Sequence, residues 1–221
     1  MSKHGKIETA EPLADRKIEI LDAASRAFMR QGFAATSLDR VSDEIDSTKG
    51  AIYYYYRSKS ELFFAVHRRG MELTQAAIRP SFEAQSSPRD RLHGMAVAHT
   101  ILVIDHLPYL RVIAQGVEMH LLERTNESER AELAEVAALR EANESLYIRV
   151  IRDGIASGEF RSVDAKLAAK PLLGALNWTS RWYQPRPGET PAAKKRLAES
   201  IADFVVAGLE KKNEREPSEP S

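Results

Sequence analysis

Between Asp15 and Glu210, apolar residues recur every three or four positions, and no convincing stretch alternates with a period of two. That spacing puts one apolar stripe on a helix and would scatter it on a strand. The chain is therefore expected to be all-α, with about nine helices set by capping and stop signals. Leu21, Ala24 and Phe28 give the first helix its stripe, about Asp15 to Gln31, and Gly32-Phe33 reads as its stop. Thr36-Ser37-Leu38-Asp39 reads as a capping box with Asp for Glu, opening a short second helix to Ile45. A turn at Asp46-Ser47 precedes a third helix from about Thr48 to Tyr55. Ser58-Lys59-Ser60-Glu61 is a full capping box for the fourth, expected to end near Arg79-Pro80. Ser87-Pro88, Pro108 and Ser128 open the next three, and Gly158 stops the seventh. The eighth runs from about Asp164 to Tyr183 across Pro171, which should kink or delay it. Thr190-Pro191 caps the ninth, which reaches about Glu210.

Composition removes several classes of function. The 221 residues include no Cys, which excludes thiol nucleophiles, disulfide frameworks and Cys-ligated metals. The first 30 residues hold no apolar signal core, and no run of apolar residues is long enough to span a bilayer. A cytoplasmic protein without a membrane partner is the expectation. No phosphate-cradling glycine loop, nucleophile elbow or zinc-protease spacing occurs. His99 and His106 lie seven apart without convergent ligands and are expected as core or surface residues. Neither catalytic residues nor a metal or cofactor is expected, and the chain is not read as an enzyme. Lys plus Arg number 32, as do Asp plus Glu, so the chain carries no basic arm. Cations do gather locally, at Lys49, Arg57, Lys59, Arg68 and Arg69, with Glu61 the acid between them. A polyanionic partner would meet this segment first.

Residues 37–56 have the form of two short helices around a tight turn. Leu38, Val41, Ile45, Ile52 and Tyr56 can fix the angle between them. Thr48, Lys49, Gly50, Tyr53 and Tyr54 remain for an outer face. Gly50 costs about 1 kcal/mol of helix stability relative to Ala. Its missing Cβ lets backbone approach another surface closely. Lys49 can meet a phosphate or a base edge, and tyrosine hydroxyls suit phosphate oxygens. Four consecutive tyrosines cannot share one face, so Tyr55 and Tyr56 are expected inward and Tyr53 and Tyr54 outward.

The series Ile20-Leu21-Asp22-Ala23-Ala24, Phe28, Gly32-Phe33, Thr36-Ser37-Leu38, Val41, Thr48-Lys49-Gly50-Ala51-Ile52-Tyr53, Ser58-Lys59 and Leu62 closely resembles the DNA-binding headpiece of TetR-family transcriptional regulators. The resemblance covers about Pro12 to Gly70. It implies an all-α fold with a helix-turn-helix headpiece and a helical body that binds a ligand and dimerises. It implies DNA contacts at Thr36, Ser37, Thr48, Lys49, Gly50, Tyr53, Tyr54 and Lys59. The turn departs from the family's usual Gly-Val: Asp46 can adopt its geometry, but Ser47 removes an apolar plug. The resulting layout is a flexible N-terminus at 1–13, a DNA-binding domain at 14–74, a ligand-binding and dimerisation domain at 75–210, and a disordered tail at 211–221.

In the body, Trp178 and Trp182 are i, i+4 neighbours with Arg181 beside them. They could line an aromatic pocket with one orienting cation, or lie in the core or a dimer interface. This segment resembles TetR-family regulators that respond to acyl-CoA thioesters. The resemblance implies a repressor released from a palindromic operator by a small-molecule effector, with acyl-CoA leading and a hydrophobic or aromatic effector as the alternative. A helical scaffold that has lost DNA binding is a further reading, motivated by the unusual turn. Leu172, Leu173, Leu176, Leu197, Ile201, Phe204, Val205 and Leu209 fit a homodimer seam through the eighth and ninth helices, or an internal core.

Overall fold

The computed structural model describes residues 10–45, 49–121 and 127–211. The expected turn residues Asp46 and Ser47, the expected helix-opening Thr48, most of the flexible N-terminus expected at 1–13, and the tail expected to be disordered, apart from Lys211, lie outside them. Among the described residues there are nine helices: α1 (Ala10–Ala35), α2 (Leu38–Glu44), α3 (Lys49–Tyr55), α4 (Lys59–Glu83), α5 (Pro88–Asp105), α6 (Leu107–Leu121), α7 (Glu127–Ser157), α8 (Ala165–Trp182) and α9 (Pro191–Ala207). No strand occurs among these residues, only an isolated antiparallel bridge between Phe160 and Glu210. The fold is all-α, as the apolar period requires. No single described helix is long and apolar enough to cross a membrane.

Two compact units emerge, each discontinuous in sequence. The first joins residues up to Glu72 with His106–Leu139. Here α1 packs on α6 and α2, and α2 on α3. Ile20, Phe28, Val41, Ile52 and Phe63 are fully buried in this unit. The Phe28 and Phe33 rings both meet the edge or face of Phe63, at 5.2 and 5.0 Å between centroids. The Tyr109 hydroxyl of α6 donates to Asp22 Oδ1 of α1 at 2.7 Å. Burial and that carboxylate push the Tyr109 phenol far up.

Gly32 has φ 75 and ψ 170, so α1 breaks there. The positive φ agrees with a glycine stop, but this ψ lies in a region almost exclusive to glycine, not in the left-handed helical one. Thr36 closes the break, its hydroxyl donating to the Gly32 carbonyl at 2.8 Å. The N-cap of α2 is consequently Ser37, whose Oγ accepts from Arg40 N at 3.3 Å, and not Thr36.

The second unit joins Leu73–Asp105 with residues from Arg140 onward. There α5 packs on α9 and α8. Leu92, Met95, Tyr147, Ile151, Phe160 and Leu176 centre its core. The loop after α7 turns at Gly158, φ 80, and Arg161 N donates to Leu209 O at 2.9 Å. That bond ties the loop to the chain end after α9. Pro80, expected to end its helix, does not, and Pro171 lies inside a helix of about the expected span. α4 continues through Pro80 to Glu83, and α8 through Pro171 to Trp182. Each proline removes one backbone donor, and packing outweighs it. Phe82, beyond Pro80, packs against the core and carries Arg149 at 4.9 Å from its ring centroid.

Candidate DNA-binding face and exposed helical stripe

At about 3.6 residues per turn, positions 50, 53 and 54 of α3 fall on one side and 52 and 56 on the other. The structure follows that arithmetic. Ile52 is fully buried, Tyr56 is 3% exposed, and Tyr55 is half-buried. Tyr53 and Tyr54 are 45% and 78% exposed. The inner residues seat α3 on the first unit's core, which leaves the outer tyrosines facing solvent. Burial pushes the Tyr56 phenol up to about 12, with the Arg68 charge opposing that shift. Tyr54 and Tyr55 pack edge to face at 5.1 Å. A Cβ added at Gly50 would meet no atom within 4 Å. This chain's own packing therefore does not require glycine there.

The other headpiece residues divide. Ser37 is exposed at the start of α2. Thr36 is 2% exposed and bonded to its own backbone, so its side chain serves the α1 break and offers no surface to a duplex. Lys59 is half-buried: its Nζ donates to Ala34 O at 3.0 Å and lies 4.5 Å from the Phe33 ring centroid. That drawn-in ammonium braces the link between α1 and α2. Thr48 lies outside the described residues, and of Lys49 only the backbone opening α3 is described.

In the second unit, Trp178 is 63% exposed, Trp182 is 47% exposed and Arg181 is also exposed. None of the three lines the described cleft of about 530 Å³ in this unit, which is framed by Arg152, Ile155, Val163 and Lys166. Leu167, Pro171, Gly174, Trp178 and Trp182 form an outward stripe along α8. The expected α8–α9 seam splits in two. Leu172, Leu176, Val205 and Leu209 belong to the unit's own core, whereas Phe204 is 80% exposed.

His99 is a core histidine. Its Nδ1 lies 2.9 Å from the Tyr147 hydroxyl and its Nε2 lies 3.1 Å from Asn177 Oδ1. Those partners fit a neutral ring with hydrogen on Nε2 and Tyr147 donating to Nδ1. Burial pulls its pKa down to about 4. Sequence reading missed this cluster, because its members come from α5, α7 and α8. No group of three or more His, Asp or Glu is arranged for a metal among the described residues.

A buried-cored helix pair with an outward-facing second helix defines a helix-turn-helix protein. Comparison with known proteins narrows the class. Residues 20–66 match the model for bacterial regulatory proteins of the tetR family. Residues 85–209 match the tetracyclin repressor-like C-terminal domain. The chain belongs to the TetR family of transcriptional regulators. It is similar to the HTH-type transcriptional repressor KstR2 of Mycolicibacterium smegmatis, 22% identical over 204 residues, 91% of this chain and 94% of that one. It is also similar to the HTH-type transcriptional activator FasR of the same organism, 25% identical over 200 residues, 90% of this chain and 84% of that one. Among solved structures, PfmR from Thermus thermophilus superposes with a TM-score of 0.72 at 26% identity, covering 87% of this chain and 99% of that one. AibR in complex with isovaleryl coenzyme A and operator DNA superposes with a TM-score of 0.70 at 24% identity, covering 88% of this chain and 97% of that one.

Proposed function

We propose that the protein is a homodimeric repressor, acting in the cytoplasm, that leaves a palindromic operator when it binds an acyl-CoA thioester. The exposed Gly50-Tyr53-Tyr54 face of α3 carries the DNA-binding half of this reading. It presents two phenolic hydroxyls and an unobstructed stretch of backbone, the groups that meet phosphates and base edges. Ser37, Thr48 and Lys49 are assigned to the same DNA contact. Thr36 and Lys59 support the face from behind.

The dimer half rests on the α8 stripe and on Phe204. Large apolar side chains exposed in a row mark an interaction surface. A second copy fits because one helix-turn-helix buries too little DNA for tight specific binding, whereas two half-sites match a two-fold axis. Trp178, Arg181 and Trp182 are assigned to this seam in preference to a pocket.

The effector class is supported by similarity to AibR, whose structure contains isovaleryl coenzyme A, and to the ketosteroid regulator KstR2 of Mycobacterium tuberculosis. Ligand and operator affinities then oppose each other through one coupling factor. The test begins with enrichment of duplexes from a random pool by the purified protein. Enriched duplexes should carry inverted repeats. Short-chain and steroid-like CoA thioesters should release them, while free CoA and the free acids should not. No enriched duplex would refute the DNA-binding reading. Release by free acids alone would refute the thioester.

A further inference from the structure

Three carboxylates on α7 face α4 within the first unit. Ser60 Oγ donates to Glu129 Oε1 at 2.6 Å. Arg68 donates to Glu132, and to Glu135 Oε2 at 3.1 Å. The Arg68 side chain is 25% exposed, so this pairing is partly shielded from water and salt. Residue numbers rise together along both helices, 60 to 68 and 129 to 135, so the helices run parallel here. Their macrodipoles therefore give no attraction, and oppositely charged side chains supply what the backbone does not.

One cleft of about 450 Å³ brings together Tyr54 and Tyr55 of α3, Ser60 of α4, and Glu129 and Glu132 of α7, so the carboxylate that holds Arg68 borders the end of α3. The Arg68 charge also acts on the buried Tyr56 phenol directly after α3. Arg68 thus lies between the α7 carboxylates and the anchor that seats Tyr53 and Tyr54. It is poorly placed to hold a phosphate itself. Glu132 and Glu135 on one guanidinium leave the pairing net negative, which disfavours a phosphate beside it.

We propose that Arg68 is a positioning residue for operator binding, held by Glu132 and Glu135 so that the α3–α4 junction keeps α3 in its DNA-competent seat. The inference rests on the DNA-binding reading above.

The two roles open to Arg68 differ in sign. If it were a phosphate ligand, neutralising its carboxylates would free it and tighten DNA binding. If it positions α3, the same change weakens binding. The experiment uses the full chain and a duplex that the wild-type protein has enriched from a random pool, read by fluorescence anisotropy across a salt series. Glu132→Gln with Glu135→Gln should weaken binding roughly fivefold or more, in the range of ordinary coupling between sites. Arg68→Glu should weaken it further, and Arg68→Glu with Glu132→Arg should recover most of the loss. The salt slope of Arg68→Lys should match wild type, because a lost phosphate contact would lower it by about one. Melting curves identify any variant that fails to fold, and the neutral Gln pair keeps the test alive if charge reversal does so.

Unchanged or tighter binding by the Gln pair overturns the proposal, as does absence of rescue by the charge swap. If the wild-type protein enriches no duplex, the DNA-binding reading itself falls and this proposal with it. Enrichment by wild type with an indifferent Gln pair removes only the role of Arg68.

Discussion

Substituting Gly154 tests how tightly the end of α7 is built against the loop that follows. A Cβ added there would lie 2.2 Å from Phe160 Cδ2, 2.5 Å from Cε2 and 2.9 Å from Cγ. Ordinary carbon contacts need roughly 3.5–4.0 Å. The ring would have to retreat by roughly an ångström or more, but it is 1% exposed and enclosed. Its backbone is held as well. Phe160 N donates to Gly154 O and Arg161 N to Leu209 O, each at 2.9 Å.

Overpacking costs about 1–3 kcal/mol, and a contact of 2.2 Å with an enclosed ring belongs to the upper part of that range, roughly 2–3 kcal/mol. Expelling the ring would cost about 3–5 kcal/mol, as for deletion of a buried Phe. Alanine returns about 1 kcal/mol of helix propensity. Gly154→Ala should therefore destabilise by roughly 1–2 kcal/mol, lowering the melting temperature by roughly 2–8 °C for a chain of this size. Denaturant melts of four proteins check it: wild type, Gly154→Ala, Phe160→Ala and the double variant. In the Phe160→Ala background the sign should reverse, with alanine at 154 stabilising. Gly70→Ala is the contrast, since its nearest obstacle is Ile113 Cδ1 at 2.6 Å, the far end of a flexible side chain. A neutral Gly154→Ala, or an equal loss without the Phe160 ring, would show that this ring does not set the limit at position 154.

Tyr54→Ala should weaken binding to an enriched duplex by about tenfold while leaving the melting temperature within about 2 °C, because a surface residue carries little stability. Unchanged binding, or a fall in melting temperature well beyond about 2 °C, would contradict the assignment of that face. Phe204→Asp should shift the protein toward monomer in sedimentation velocity, because a carboxylate in an apolar seam is strongly unfavourable. A persistent dimer would place the seam elsewhere. His99 is neutral in the folded chain, with its pKa near 4, against about 6.5 unfolded. Only the unfolded state takes up this proton between those values, so stability is full above about pH 6.5 and falls toward pH 4. The slope is at most about 1.4 kcal/mol per pH unit from this group, measured as denaturant midpoints for wild type against His99→Gln. Equal slopes would show that His99 is not the group responsible.

Much of the helical layout was legible because caps and periodicity are local. Ser58 with Glu61, Asp164, Thr190-Pro191 and Gly158 act within a turn of their own positions, and the structure uses each of them there. The alternation of inner and outer tyrosines followed from helix geometry alone. Pro80 was misread for the complementary reason: a local penalty yields to packing that comes from residues distant in sequence. Thr36 was likewise read as the cap of α2, but the carbonyl freed at Gly32 claimed its hydroxyl and Ser37 became the cap.

The helical class, the recognition segment and the family could all be read from the chain of residues, since each rests on short-range spacing. Which apolar residues of α8 and α9 enter a core and which remain outside was settled only by tertiary packing. The same packing brought His99, Tyr147 and Asn177 together, and set Arg68 against Glu132 and Glu135. Such pairings join positions tens of residues apart, and the free energy that selects them comes from the burial of the whole chain, which no local pattern encodes.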